Sequence, residues 1–319
     1  MRKLTLHIPG KSLTKDFETW LETYIQAKIE EYRLKGRTVS KMPPAAKNYA
    51  SMLHLLQDFE KSKNKVLTKK DINQAFLTEF SDYCFDSRHL NNSTINKRID
   101  ALFYFLHHFY PKPPGVRKPK HFSILKKKVI RLTVDELKQL HALVLDDPVL
   151  ERTRDFFLFL CYTGLRFGDF YKLNRSYYDP ESNEIHLMTN KTTRECRIHL
   201  NPIALQIAEK YDFKFNASCN QDLNRYIKLL LERYHLFETE ETVEYLSKGR
   251  CTKTCLKREL ITCHTGRRTY ISILAENGLS AYEIMSATGH TRVETVMFYI
   301  DLFGKERQNK FMALDRLFV

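Results

Sequence analysis

No run of eighteen apolar residues occurs in the chain, so a membrane-spanning helix is not expected. The opening MRKLTLHIPG lacks the apolar stretch of a secretory signal. A paired Cys-x-x-Cys is missing as well. The seven cysteines are an odd number scattered along a sizeable chain, which fits reduced thiols in a cytosol better than a disulfide framework. Their one tight cluster is Cys251, Cys255 and Cys263, followed by His264; such a set could ligate zinc, but the C-T-K-T-C spacing is loose and no metal is expected. There is no glycine-rich phosphate loop and no clustered carboxylate site, so no cofactor is expected either. Internal repeats and low-complexity tracts are also lacking. The scarce charge is negative: 38 Asp+Glu stand against 52 Lys+Arg, a formal net charge of +14. A chain this basic expects a polyanion, nucleic acid first and a membrane surface second.

What is present is enough for two domains, since 319 residues can bury two cores. The first third reads as four helices. Thr14 is a candidate cap for a helix over 15–34, with Phe17, Trp20, Leu21, Tyr24, Ile25, Ile29 and Tyr32 at helical spacing. Pro43 and Pro44 suit the start of a second helix, through Met52, Leu55, Leu56 and Phe59. Thr68 with Asp71 resembles a capping box opening a third, with Ile72, Phe76, Phe80 and Tyr83. Asn92 or Ser93 can cap a fourth, N-K-R-I-D-A-L-F-Y-F-L-H-H-F-Y. Four such helices make a small bundle over 1–111. A basic, proline-bearing segment over 112–131 then reads as a linker.

The second domain, 132–319, starts with a capping box, Thr133 and Glu136. The nearly all-apolar D-F-F-L-F-L-C-Y-T-G reads as a central helix stopped by Gly164, with a short helix opening at Arg166. EIHLM and CRIHL alternate as strands around a T-N-K-T-T-R-E hairpin. Two helices follow, P-I-A-L-Q-I-A-E-K-Y and N-Q-D-L-N-R-Y-I-K-L-L-L-E-R-Y, and 238–257 is polar with no clear period. The fold class expected is mainly α with a small β-hairpin or sheet.

Several polar groups stand where structure alone would not ask for them. In ITCHTGRRTYISILAENG, helical spacing puts His264, Arg267, Ile271 and Leu274 on one stripe facing the core. Arg268 aligns with Ser272, Ala275 and Glu276 and reads as a solvated or peripheral arginine. A buried Arg267 needs a partner, either a carboxylate elsewhere in the fold or a ligand anion. Arg166 follows the buried helix directly, and Asp169, three residues on, could hold its guanidinium. Lys191 lies at the hairpin tip. In GHTRVETVMFYI, Gly289 ends a helix and His290 sits in the turn, with Thr291 and Glu294 placed to cap the next helix. On that helix Val293, Val296, Met297 and Ile300 are expected in the core, with Tyr299 at the edge of their stripe. Each has an ordinary alternative: hairpin lysines are commonly solvated, helix tyrosines commonly pack, and turn histidines commonly do nothing.

Taken together, Thr163-Gly164-Leu165-Arg166, Lys191, His264-Thr265-Gly266-Arg267, Gly289-His290 and Tyr299 resemble the catalytic signature of the tyrosine recombinase (phage integrase) family. HTGRRTY is particularly similar to integrases of Bacteroidetes mobile elements. The resemblance implies a SAM-like four-helix core-binding domain and a C-terminal tyrosine-recombinase catalytic domain. An additional arm-binding domain is not expected from so short a leader. It implies a site-specific DNA recombinase that cleaves and rejoins strands through a 3′-phosphotyrosyl intermediate with a free 5′-hydroxyl. Arg166 and Arg267 would clamp the scissile phosphate, with Asp169 supporting; Tyr299 would be the nucleophile, with nearby cations favouring its phenolate. His264 would be its base or hydrogen-bond partner, His290 would bond or position the phosphate, and Lys191 would protonate the leaving oxygen, with Arg194 and Lys172 as alternative donors. The implied partners are double-stranded DNA, a homodimer or homotetramer on it, and accessory DNA-bending proteins, at the nucleoid in the cytoplasm and not at a membrane. In relatives the tail after the tyrosine packs on a neighbouring subunit; whether Phe311, Leu314, Leu317 and Phe318 do so here or cap their own domain is open. A type IB topoisomerase, or a DNA-binding protein without catalysis, are the alternative readings.

Overall fold

The computed structural model describes residues 10–34, 42–126, 128–189 and 195–302, with residues 301 and 302 by backbone alone. The chain divides into two compact units, Met1–Lys127 with Val243–Lys253, and Lys128–Thr242 with Thr254–Val319.

The first unit is built on four helices, α1 (Leu13–Leu34), α2 (Lys47–Lys63), α3 (Gln74–Asp86) and α4 (Asn92–Phe109). Each turns its apolar stripe inward, and the core is unusually aromatic: Phe17 stacks on Phe105 at 4.2 Å, while Phe59 meets Phe80 edge-on at 5.4 Å. Such pairs add about 0.5–1.5 kcal/mol each beyond their buried area. The helix starts differ in detail from expectation. Thr14 lies inside α1 and donates to Glu60 (2.9 Å). The Thr68–Asp71 box closes a one-turn 3-10 helix, and α3 starts later, capped by Asn73. Asn91, not Asn92 or Ser93, caps α4. Among its described residues the basic segment after α4 has no regular structure, yet it is tied down. Asn96 both donates to the Phe122 carbonyl and accepts from its N–H, each at 2.9 Å.

In the second unit the Thr133–Glu136 box opens α5 (Val134–His141). α6 (Pro148–Thr163) runs through the core, burying Phe156 to Cys161 without interruption, and ends at Gly164 in the left-handed conformation (φ 63°). α7 (Phe167–Phe170) follows, with Arg166 as its first flanking residue. Then β1 (Tyr178–Asp179), β2 (Glu184–Met188) and β3 (Glu195–His199) form an antiparallel sheet in that order, Leu187 opposite Cys196. The hairpin tip between β2 and β3, which carries Lys191 and Arg194, lies outside the described residues, as does the tail after α13.

Next come α8 (Pro202–Lys210), α9 (Asn220–Arg233), and a hairpin of β4 (Glu240–Ser247) and β5 (Gly249–Leu256), where the sequence showed no clear period. The outer residues of that hairpin belong to the first unit, where Lys248 ion-pairs with Asp82 (3.0 Å) and Asp86 (2.8 Å). The chain closes with α10 (Lys257–Leu260), α11 (Cys263–Glu276), α12 (Ala281–Thr288) and α13 (Val293–Leu302). No helix among the described residues is long and apolar enough to cross a membrane. All seven cysteines are thiols, and the described residues contain no group of three or more His, Cys, Asp or Glu side chains able to hold a metal ion.

Candidate active site

Three helix ends meet where the singled-out residues lie. α11 presses so closely on α6 that a Cβ on Gly266 would stand 3.0 Å from the Leu160 carbonyl carbon. The glycine inside H-T-G-R is therefore a packing requirement, and it sets the depth at which the next residue enters the interior. That residue, Arg267, is 3% exposed. Its Nη1 donates to the Gly164 carbonyl (2.7 Å) and its Nη2 to the Thr288 carbonyl (2.6 Å). These are the C-terminal ends of α6 and α12, where the helix dipoles concentrate negative charge. Two helix ends thus hold the cation that the sequence left in search of a partner, and the buried Asp169 carboxylate also favours its charged form. Burial, then the neighbouring Arg166, lowers the Arg267 pKa to about 10, which still leaves it cationic at neutral pH.

Arg166 contributes the second guanidinium. Its Nη1 is buried and has no hydrogen-bond partner among the described residues. An unsatisfied buried donor on a charged group costs upwards of about 1–3 kcal/mol. Two arginines close enough to repel, one with an orphaned N–H, amount to an anion site.

His290 follows Gly289, whose positive φ (64°) ends α12 and whose Cα approaches Thr189 and Cys196, the residues beside the β2–β3 hairpin tip. Burial, then Arg267, Arg166 and His264, depress the His290 pKa to about 3, so the imidazole is neutral. Its tautomer follows from its neighbours. Thr288 spends its only hydroxyl proton on the Ile284 carbonyl, so its oxygen accepts from His290 Nδ1–H at 2.7 Å. Nε2 is then an acceptor, 3.2 Å from Arg267 Nη2. In this state His290 buttresses Arg267. Its Nε2 could donate to an anion only once protonated, and a nearby anion favours that protonation. Ring ¹⁵N chemical shifts of DNA-free protein should accordingly show a neutral, Nδ1-protonated His290 throughout pH 5–8; a titration midpoint near 6.5 would contradict the assignment.

His264, on the first turn of α11, is exposed rather than turned to the core, yet it is close enough to His290 to disfavour that ring's charging. On α13 the buried positions are Val296 and Tyr299 (8% exposed), whereas Met297 is 39% exposed. Of the expected stripe, Val293, Val296 and Ile300 pack in this cluster and Met297 does not, and Tyr299 is buried among them rather than at the edge. Burial raises the Tyr299 pKa, and Arg268 and then Arg267 only partly offset it. The phenol is therefore protonated at neutral pH, and the neighbouring cations favour the phenolate as expected but by less than burial opposes it. Thr288 and Arg268 were not singled out as members of this cluster by their residue types.

Residues 130–306 match the Phage integrase family, and residues 21–110 match the Phage integrase SAM-like domain. The chain belongs to the phage integrase family, the tyrosine recombinases. Its activity class is site-specific DNA recombination, and the topoisomerase and non-catalytic readings are not favoured. It is 24% identical over 270 residues to a probable integrase/recombinase of Acholeplasma phage L2, spanning 79% of this chain and 84% of that one. It is 28% identical over 220 residues to tyrosine recombinase XerC of Chlamydia muridarum, spanning 65% and 66% of the two. The Tn1549 transposon integrase, solved with transposon right-end DNA, superposes with a TM-score of 0.59 at 14% identity over 94% of this chain and 99% of that one. A lambda integrase tetramer on a Holliday junction gives 0.57 at 16% identity over 88% and 76%. At such identities these structures speak for the fold of this integrase.

Proposed function

We propose that this integrase cuts one DNA strand by attack of the Tyr299 hydroxyl on a phosphodiester held between Arg166 and Arg267. The observation that carries the reading is the pair of adjacent guanidiniums, one fixed by two helix ends and the other with a buried, unpartnered Nη1. As the Tyr299 oxygen bonds to phosphorus, the bond to the 5′-oxygen breaks. The products are a 3′-phosphotyrosyl enzyme and a 5′-hydroxyl. Negative charge gathers on the non-bridging oxygens in the transition state, where the arginines act most strongly. Because the phenol is protonated, its proton must leave during attack, and His264 is the base. The covalent link conserves the energy of the broken bond, so the hydroxyl of a second strand can reseal it without a nucleotide cofactor.

The assembly we propose is a homodimer or homotetramer on two duplexes at the nucleoid, with room for accessory DNA-bending proteins. A suicide duplex that loses its 5′-hydroxyl fragment should trap the protein covalently, and paired sites should yield a four-way junction. Adducts without junctions would favour topoisomerase-like nicking; no adduct with retained binding would favour a non-catalytic binder.

Lys191 is our proposed general acid for the 5′-oxygen. Thr189 and Cys196, either side of the hairpin tip, lie against the Gly289 turn that presents His290. A 5′-bridging sulfur leaves without protonation. Lys191→Ala should therefore cleave ordinary DNA about a hundredfold or more slowly, yet cleave the sulfur-substituted strand at close to the unmutated rate. Equal slowing on both substrates would make Lys191 a DNA-positioning residue and turn attention to Arg194 or Lys172.

A further inference from the structure

We propose that Arg268 is a positioning residue for the nucleophile: its guanidinium holds the Tyr299 oxygen in cleavage and receives it as the leaving group in resealing. This rests on the assignment of Tyr299 as nucleophile. Successive helix residues point about 100° apart, so the two arginines of H-T-G-R-R diverge. Arg267 reaches the ends of α6 and α12. Arg268 shares its face with Ile271 and Ala275, one and two turns on, and these are buried in one cluster with Val296 and Tyr299 of α13. The face bearing Arg268 is thus the one on which α13 lies. Arg268 itself is half-buried, and it is the charged group that acts most strongly on the Tyr299 hydroxyl, offsetting part of its burial.

An arginine only donates, so the phenolic oxygen accepts and its own O–H is left to point elsewhere. A fixed donor has two effects. It orients the hydroxyl proton away from Arg268, towards a base. It also stabilises negative charge on the oxygen, offsetting part of the burial that opposes ionisation. The charged groups acting on this hydroxyl are Arg268 and Arg267, both from α11; α12 and α13 contribute none among the described residues. In cleavage the phenolic oxygen bonds to phosphorus, its proton passes to the base and the 5′-oxygen departs. In resealing a 5′-hydroxyl attacks, the phosphorus–phenolic oxygen bond breaks, and the departing oxygen gathers charge against Arg268. Both directions use the same contact, so its loss should slow both.

The test is single-turnover cleavage of a suicide duplex, and resealing of the trapped adduct by an added 5′-hydroxyl strand, from pH 6 to 10. Arg268→Ala should be slower by about tenfold for each pKa unit by which Tyr299 rises. The deficit should shrink as pH climbs, resealing should slow in parallel, and Arg268→Lys should recover much of the rate. An Arg268→Ala protein with unmutated rates and pH profile would overturn the proposal. So would an equal loss at every pH that lysine does not rescue, the pattern of mere structural damage. Tyr299→Phe run alongside separates the two assignments: a persisting adduct there sinks the nucleophile itself, whereas its loss leaves Arg268 to be judged alone.

Discussion

Tyr299→Phe is expected to bind DNA as the unmutated protein does and to form no covalent adduct at any pH. The substitution removes one oxygen and leaves the ring, which is what α13 packs with. Its structural effect should be small, because the neighbouring Arg268 guanidinium is half-buried and can turn to solvent. The chemical effect should be total, since no other atom at this position can bond to phosphorus. Binding by gel shift and cleavage on a denaturing gel separate the two. An adduct of undiminished yield would remove Tyr299 from the mechanism.

Arg267→Ala should lower cleavage by about a thousandfold or more, at the upper end of what removing a single transition-state donor costs elsewhere. It should also destabilise the second unit, because the Gly164 and Thr288 carbonyls lose their donor and each buried orphan costs about 1–3 kcal/mol. The two losses must be told apart. Arg267→Lys keeps the charge, but one ammonium cannot span both helix ends and present a planar fork as well. It should melt closer to the unmutated protein than the alanine variant yet remain defective in single-turnover cleavage. An alanine variant that cleaves within tenfold of the unmutated rate would show that Arg267 is a structural cap.

The same arginine shows what the sequence could disclose. Its inward direction was legible from helical spacing, because Ile271 lies four residues on. The partner was not, because helix-end carbonyls carry no residue-type signature. The face bearing Arg268 was read as one that can be wet for a related reason. Ser272 and Ala275 look like a wet face by size and polarity, yet both are buried, being small where α11 lies tight against its neighbours. On α13 the expected stripe of Val293, Val296, Met297 and Ile300 loses only Met297, a large apolar residue, and gains an aromatic alcohol, Tyr299, as a buried member. Capping signals transferred well at Thr133 and Gly164, where the cap and the helix are contiguous. They misled at Thr68, whose box closes a single turn. The β4–β5 hairpin escaped notice because neither of its faces is buried deeply enough to impose an apolar alternation. In the site, the dispersed signature was readable because the family's chemistry fixes residue types, while Thr288, which sets the His290 tautomer, acts through a single oxygen and leaves no such mark.

The central claim is that a phosphate held by Arg166 and Arg267 is transferred to Tyr299. The most direct measurement is to trap the unmutated protein on a suicide duplex, digest protein and DNA, and identify the modified peptide by mass spectrometry. The account predicts a nucleotide joined through its 3′-phosphate to the phenolic oxygen of Tyr299, with a free 5′-hydroxyl on the released strand. A nucleotide on any other residue, or a 5′-phosphate link, would contradict it.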